Sequence, residues 1–221
     1  LRIPLDGFGI RYRYGLFRQR FEDGFQKEEA DDWLRFGDPW SVRRESETVL
    51  VRFADQTVKA VPYDMPVIGY GDGTVNTLRL WQAEAVEAFD FDRFNRQQYD
   101  EAVKEKNRAE DISAVLYPND DTDEGRRLRL KQQYFFTSAT MQTLTARYVC
   151  EFGEDFSRFP DQYAIQLNDT HPTVAIPELL RLLMEDHLLS FEQAFDVAQK
   201  TFSYTNHTIM AEALEKWSVP L

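Results

Sequence analysis

The chain has 221 residues, of which 26 are basic and 38 are acidic, so its formal net charge is −12. This acidic balance argues against nucleic acid and anionic membranes as partners, because both require concentrated positive charge. A hydrophobic content of 43%, with 14% aromatic residues, excludes a disordered chain and predicts a globular protein with one sizeable core.

The first half of the chain predicts loops followed by strands. Residues 1–40 mix aromatic, charged and glycine residues, which indicates loop and short helix, with a helical turn at 31–37 closed by Gly37. Pro62 and Pro66 predict a turn-rich segment, since prolines are excluded from central strands. The strand candidates, rich in β-branched and apolar residues, are 48–53, 57–61 and 74–81.

Two helices are predicted in the middle of the chain. Residues 94–112 predict a polar helix, and its part at 99–111 has so little apolar face that it coats the surface or meets another subunit. After an acidic loop at 116–125, residues 126–148 predict a long buried helix whose acidic approach complements its dipole. Its expected core positions are Leu130, Tyr134, Met141, Leu144 and Tyr148.

The C-terminal third begins with a predicted buried strand at 163–167. Thr170 or His171 is expected to cap the following helix, and Pro172 suits its first turn. The apolar face of that helix is expected to hold Ile176, Leu179, Leu180 and Leu183.

A second helix starts at Ser190, which forms a capping box with Gln193. Its predicted apolar face consists of Phe191, Ala194, Phe195 and Ala198. Residues 202–205 then return as a strand. The order strand, helix, helix, strand, helix predicts a right-handed crossover in a parallel sheet, and therefore an α/β fold.

Both strands of this pair run into polar clusters: Gln-Leu-Asn-Asp-Thr-His-Pro at 166–172 and Ser-Tyr-Thr-Asn-His-Thr at 203–208. In open α/β sheets, ligands bind outside the carboxyl ends of the strands, near helix N-termini. We therefore predict one shared site, suited to a polyhydroxylated or anionic ligand.

The chain has one cysteine, Cys150, and neither a signal peptide nor a long apolar segment, which predicts a reduced, soluble compartment with the cytoplasm as the default. Cys150 is expected to be a packing or surface thiol. The histidines at 171, 187 and 207 lack the spacing of metal ligands, so no metal site is predicted.

Several of these segments carry a family resemblance. They are Pro-Tyr-Asp-Met-Pro at 62–66, Val-Asn-Thr-Leu-Arg-Leu-Trp at 75–81, Val-Leu-Tyr-Pro-Asn-Asp at 115–120, Leu-Arg-Leu-Lys-Gln at 128–132, Ala-Ile-Gln-Leu-Asn-Asp-Thr-His-Pro at 164–172, and Tyr-Thr-Asn-His-Thr at 204–208 followed by Glu-Ala-Leu-Glu at 212–215. In order and nearly from end to end, the chain resembles the α-glucan (glycogen, starch or maltodextrin) phosphorylases.

The resemblance implies a part of the N-terminal Rossmann-like domain of a GT-B-type glycosyltransferase, without the family's glycine-rich loop and C-terminal cofactor domain. It implies transfer of the terminal glucosyl unit of an α-1,4-glucan to inorganic phosphate, giving glucose 1-phosphate. The implied cofactor is pyridoxal phosphate on a lysine outside this chain. Residues 1–221 alone are therefore expected to be inactive.

The resemblance also assigns roles to individual residues. His207 is implied to contact the hydroxymethyl arm of the transferred glucose. Asp120 corresponds to a mobile loop that gates the cleft, and Arg129 to an arginine that compensates charge when phosphate enters. The other implied substrate contacts are Asn119, Asp121, Asn168, Asp169, His171, Thr208 and Ala213.

Structural roles remain open for the same residues. His207 could be a satisfied structural histidine, and His171 could simply cap its helix. Asp120 could be solvated, and Arg129 could only pair with Asp120 or Glu124.

Two functions stay open on the sequence: a phosphorylase segment, or a non-catalytic glucan-binding or dimerisation module. The resemblance implies that helix 99–111 packs against a second subunit of a homodimer. A glycoside hydrolase is disfavoured, because no paired Asp/Glu motif suggests its two carboxylates.

Overall fold

The computed structural model describes residues 2–15, 17–71 and 73–218. The chain forms two compact units with their boundary between Gln132 and Gln133, which we call unit 1 and unit 2. The boundary falls inside the longest helix. Each unit is described by itself below.

Unit 1 contains a five-stranded sheet and a separate two-stranded hairpin. Its strands are β1 (Gly7–Ile10), β2 (Arg18–Glu22), β3 (Phe25–Glu29), β4 (Val42–Arg43), β5 (Val49–Arg52), β6 (Thr57–Ile68) and β7 (Val75–Ala85). In the sheet, β1 runs parallel to β7, β7 is antiparallel to β6, and β6 pairs with β4 and β5 on its other side. The apolar core of this sheet includes Val51, Val58, Val61, Trp81 and Ala83.

The prediction of loop and short helix for residues 1–40 is wrong at 7–10, 18–22 and 25–29, which form three strands. β2 and β3 form a hairpin that turns at Asp23 and Gly24, both with positive φ. Asp-Gly is a type I′ hairpin signal. Residues 33–36 form a turn rather than a helix, and Gly37 closes it at φ +88° with its N–H on the Leu34 carbonyl at 2.9 Å.

The turn-rich segment predicted at 62–66 is also wrong, since β6 runs through Pro62 and Pro66 at the middle of the sheet. The Pro62 carbonyl accepts the Arg44 N–H at 2.9 Å, so residue 62 directs its backbone groups away from β7. Pro66 directs its nitrogen to the same side of β6. Its position lies beyond Asp64, the last β6 residue that pairs with β4. Neither proline therefore interrupts the ladder with β7.

The predicted polar helix is divided into several pieces. They are α1 (Phe91–Asn95), α2 (Tyr99–Ala102) and α3 (Lys104–Ile112), followed by the long helix α4 (Asp123–Phe152). A single helix at 94–112 is therefore wrong: Val103 leaves the helical region at φ −115°. Ala109 and Ile112 are buried as α3 packs on β7, and the Ser113 hydroxyl accepts the Ala83 N–H at 3.1 Å.

Helix α4 confirms and extends the helix predicted at 126–148, and Asp123 and Glu124 lie in its first turn. Among its expected core residues, Met141, Leu144 and Tyr148 are buried, whereas Leu130 and Tyr134 are only partly buried. Tyr148 packs against Phe156 and Phe159, with ring centroids 5.2 and 5.1 Å away, in the aromatic core of unit 2.

The helix predicted after the last strand is wrong, because the described residues there form only the short 3-10 helix Ala211–Ala213. The other elements of unit 2 follow in the predicted order. They are α5 (Phe159–Gln162), β8 (Ile165–Asn168), α6 (Ala175–Arg181), which continues into a π-helical turn (Leu182–Asp186), α7 (Phe191–Thr201) and β9 (Phe202–Thr205). β8 and β9 pair in parallel, as predicted, with Ile165 opposite Phe202 and Asn168 opposite Thr205.

Two local predictions in unit 2 need correction. Phe191 and Phe195 are exposed and stack on each other, while the buried stripe of α7 consists of Ala194, Val197, Ala198 and Thr201. Small side chains allow that stripe a close approach to its neighbours.

Pro172 lies in the first turn of the short 3-10 helix His171–Val174, but Thr170 makes no side-chain cap, because its hydroxyl is directed to residues 213 and 215. The capping box of Ser190 and Gln193 is confirmed.

Candidate functional site

The two predicted polar clusters meet in unit 2 because β8 and β9 end side by side. Asn168 and Thr205 are opposite each other in the last register of the pair. The next residue after β8, Asp169, donates its backbone N–H to the Thr205 carbonyl at 2.9 Å. The pairing thus continues one residue beyond β8 and holds the following loops together.

Asp169 and His207 form the centre of this group. Asp169 has a left-handed backbone with φ +63°, a region that Asp tolerates better than most residues. Its Oδ1 accepts the backbone N–H of His207 at 3.0 Å and lies 3.2 Å from Nδ1 of the His207 ring. The backbone N–H of His207, followed by its ring, lowers the pKa of the Asp169 carboxyl below its ordinary value.

Glu215 lies at the centre of a second group of polar residues, and its side chain is only 11% exposed. Its Oε2 accepts hydrogen bonds from Gln133 Nε2 at 2.7 Å and from the Thr170 hydroxyl at 3.3 Å. Nε2 of His171 lies 3.8 Å from Oε1 of Glu215. The Thr170 hydroxyl is also 3.4 Å from the carbonyl of Ala213, so this predicted pocket residue belongs to the same group.

The loop that carries His207 is ordered by its own side chains. Asn206 donates from Nδ2 to the Thr208 carbonyl at 2.7 Å and accepts the Thr208 N–H at 3.1 Å. The Thr208 hydroxyl accepts the Met210 N–H at 3.2 Å. The side chain of Asn168 is exposed at the end of β8. Predicted residues Asn168, Asp169, His207 and Thr208 are thereby brought together.

The remaining predicted residues lie in unit 1. Arg129 of α4 forms an ion pair with Asp120, NH1 to Oδ2 at 2.8 Å, and its guanidinium lies 5.7 Å from the Tyr117 ring centroid. Asn119 and Asp121 bind each other through Nδ2 to Oδ2 at 2.9 Å and the Asp121 N–H to Oδ1 at 3.0 Å. The loop and the first turns of α4 are therefore joined by charge and by local hydrogen bonds.

The two groups offer carboxylates, imidazoles, amides and hydroxyls, which are the donors and acceptors that suit a polyhydroxylated ligand. The described stretches contain no cluster of three or more His, Cys, Asp or Glu placed to hold a metal ion. Pyridoxal phosphate would require an available lysine amine. Lys131 does not fit that role, because both oxygens of Asp55 hold its ammonium at 2.7 and 2.8 Å.

The sequence did not predict that Glu215 contacts several polar side chains or that Gln133 is one of them. These two residues are 82 positions apart, and Glu215 follows no periodic apolar pattern. Only the family motif at 212–215 marked that segment. Burial of a carboxylate next to distant polar groups is a tertiary property that local spacing does not report.

Cys150 is an exposed free thiol. Within the part of the chain that the structure describes, no helix combines the length and the apolarity needed to cross a membrane.

Comparison with known proteins gives one consistent match. The family model described as carbohydrate phosphorylase matches residues 1–221. The chain is 49% identical to the liver form of glycogen phosphorylase from Homo sapiens over 242 residues, covering 100% of this chain and 29% of that protein. It is 48% identical to the muscle form from Ovis aries, with 100% and 29% covered. A glycogen phosphorylase from Synechocystis sp. is 42% identical over 240 residues, with 100% and 28% covered. The chain thus spans less than a third of the length of these relatives.

Proposed function

Because the chain belongs to the carbohydrate phosphorylase family, we propose that it is a segment of an enzyme that transfers the terminal glucosyl unit of an α-1,4-glucan to inorganic phosphate, releasing glucose 1-phosphate. The observation that carries the proposal is the match of the whole chain, at 42–49% identity, to glycogen phosphorylases. The parallel strands β8 and β9, which present Asp169 and His207 together, support a sugar site at their carboxyl ends.

His207 is the proposed contact to the hydroxymethyl arm of the transferred glucose. Its side chain is 53% exposed and therefore accessible to a ligand, and its Nδ1 lies 3.2 Å from Oδ1 of Asp169. Asn168, Asp169, His171, Thr208 and Ala213 are proposed to line the same pocket. Hydroxyl, amide and carboxylate groups at loop ends are able to bind several sugar hydroxyls at once.

Asp120 and Arg129 are proposed to act as a gate, with Asn119 and Asp121 in the same loop. The 2.8 Å ion pair gives Arg129 a carboxylate partner, which an entering phosphate could replace by bidentate hydrogen bonds. The loop would then move away from α4. The role of this pair therefore depends on exchange of one anion for another, rather than on the stability of the pair itself.

The complete protein is proposed to carry pyridoxal phosphate on a lysine outside this chain, where the cofactor supplies a phosphate group beside the substrate phosphate. The present residues would then form part of an N-terminal Rossmann-like domain of GT-B type and would be inactive alone. The cytoplasm is the proposed compartment, and the segment 99–111 is the proposed contact in a homodimer.

The test is phosphate-dependent release of glucose 1-phosphate from maltoheptaose by the full-length parent protein, native and with His207→Ala. We expect activity in the native protein and a loss of about 100-fold or more in the variant, because a sugar contact made in the transition state is removed. Cofactor absorbance should be unchanged.

His187→Ala is the matched control, since this histidine follows the π-helical turn Leu182–Asp186 and packs on Phe156 with ring centroids 4.6 Å apart. It should retain activity. A native protein that binds maltoheptaose but releases no glucose 1-phosphate would instead identify a non-catalytic glucan-binding module. Equal losses in both histidine variants would contradict the role given to His207.

A further inference from the structure

The segment that leads into the loop of the proposed gate is held through three successive backbone carbonyls. The carbonyls of Ser113 and Ala114 accept the backbone N–H groups of residues 13–14 at 2.9 and 3.1 Å. The third carbonyl, that of Val115, is bound by a side chain, because Nε2 of Gln132 donates to it at 2.9 Å. Val115 is therefore the residue at which helix α4 takes hold of the chain before the loop.

Helix α4 also holds the loop at a second point, by a contact of a different kind. Gln132 lies one turn after Arg129 and so on the same side of the helix. Gln132 is only 5% exposed, whereas the side chain of Asp120, which pairs with Arg129, is 44% exposed. The bond to Val115 is thus buried and neutral, and the ion pair at Asp120 is charged and accessible to solvent.

The far end of the loop is fixed to the start of α4. The Thr122 hydroxyl accepts the Gly125 N–H at 3.2 Å, and the Thr122 carbonyl accepts the Arg126 N–H at 3.0 Å. Residues 116–121 therefore lie between two fixed ends. Among them, Tyr117 has a left-handed backbone with φ +52°, which is rare for a bulky residue and persists only where the surrounding structure holds it.

We propose that Gln132 is a positioning residue that fixes the pivot of the loop at Val115, so that residues 116–121 move while the segment before them stays in place. This inference rests on the gating role proposed for Asp120 and deepens it. Loss of the ion pair at Asp120 leaves the carbonyl of Val115 bound, because the amide of Gln132 is buried and carries no charge for an anion to replace. The loop then returns to the same position after each opening.

The test is hydrogen exchange, resolved to single residues, in the full-length parent protein. Asp120→Ala releases the loop by removing its ion pair, and Gln132→Met removes the donor while keeping the approximate size of the side chain. The reporters are the amides of Ser113 and Ala114, which donate to carbonyls in the last turn of α3 at 3.0 and 3.3 Å. Protection of β6 and β7 in the same samples shows that the sheet is folded.

Asp120→Ala alone should speed exchange at 116–121 and leave the reporter amides protected. Adding Gln132→Met should then speed exchange of the reporters by about 3- to 10-fold, which corresponds to one neutral hydrogen bond. Gln132→Met alone should change them much less, because the ion pair still holds the loop. An equal change with and without Asp120→Ala would overturn the proposal, since it indicates a bond that stabilises the segment without serving as a pivot. Gln132→Ala is the second variant and should give the same result.

Ligands separate the pivot from the gating role. Inorganic phosphate together with maltoheptaose should speed exchange at 116–121 in the native protein, and should speed exchange of the reporter amides only when Gln132 is replaced. Unchanged exchange at 116–121 would reject the gating role, while the comparison in the Asp120→Ala background would still decide whether Gln132 fixes the pivot.

Phosphorolysis of maltoheptaose gives the second readout. We expect Gln132→Met to lower kcat/KM by about 3- to 10-fold, because a loop without its pivot returns to its closed position less often. Gln142→Met is the matched control on the same helix, since its amide donates to the hydroxyl of Ser138 at 3.0 Å, and it should retain activity. Equal kcat/KM in the two variants would contradict the role given to Gln132.

Discussion

Gly125 shows how a single backbone position supports the loop of the proposed gate. It lies in the first turns of α4, and a Cβ built on it would be 2.1 Å from the Asn119 carbonyl oxygen and 3.0 Å from Cα of Asp120. Both neighbours are backbone atoms, which cannot move aside as a flexible side chain can. The loop therefore rests directly on the helix, and only glycine permits this approach.

Gly125→Ala is expected to displace residues 119 and 120 and to weaken the Asp120–Arg129 ion pair. We expect a loss of unfolding free energy of about 1–3 kcal/mol from overpacking, together with lower kcat/KM in the full-length parent. Thermal unfolding and phosphorolysis measure the two effects. Gly9→Ala is the control, because its Cβ would meet only the tip of Leu80 at 3.4 Å. Equal behaviour of the two variants would contradict the close approach.

At the scale of elements, the ion pair between Asp64 of β6 and Arg79 of β7 holds the middle of the unit 1 sheet. Arg79 donates from Nε at 2.7 Å and from NH2 at 2.8 Å to the two carboxylate oxygens. The side chains of Asp64 and Arg79 are only 13% and 6% exposed. Burial alone raises the pKa of Asp64, but the hydrogen bonds and charges of Arg79 and Arg44 together outweigh it, so the pKa lies below its ordinary value of 3.8.

Asp64→Asn is expected to lower stability at neutral pH by about 1–3 kcal/mol, because it removes one of the two carboxylates, Asp64 and Glu47, that pair with the buried Arg79 guanidinium. The folded pKa is depressed, so the contribution is present above the unfolded pKa and is lost as the pH falls through the folded value. Unfolding by urea between about pH 7 and pH 3 should therefore give a shallower loss of stability in the variant than in the native chain. Glu105→Gln, at a side chain 59% exposed, should change little at any pH.

Elements with a local signal were predictable from the sequence, and elements decided by neighbours were not. The Ser190 capping box and the strand at 202–205 appear as expected, because side-chain spacing alone determines them. The position of Pro62 in a central strand depends on which side of β6 the short β4 occupies. No local sequence pattern predicts that side. Likewise, adjacency of the two polar clusters followed from topology, whereas the burial of Glu215 required the tertiary structure.

At the scale of the whole protein, an exposed aromatic cluster lies at the start of the segment 99–111, which is proposed to contact a second subunit. Phe89, Phe94 and Tyr99 are exposed, with ring centroids 5.3 Å apart in the first pair and 5.0 Å in the second. Phe91, the first residue of α1, is also exposed. Aromatic clusters of this kind are typical of interface centres rather than of free surface.

We therefore expect Tyr99→Lys in the full-length parent to weaken a homodimer by about 30-fold or more, because it places a charge in an aromatic contact. Sedimentation velocity over a range of protein concentrations measures the dissociation. The fold of unit 1 should be unaffected, since Tyr99 is exposed in the present chain. Leu188→Lys is the matched control, at a side chain 86% exposed in unit 2, and should leave the association unchanged. A Tyr99→Lys protein that dimerises as tightly as the native one would contradict this role of the cluster, and the subunit contact would have to be sought elsewhere.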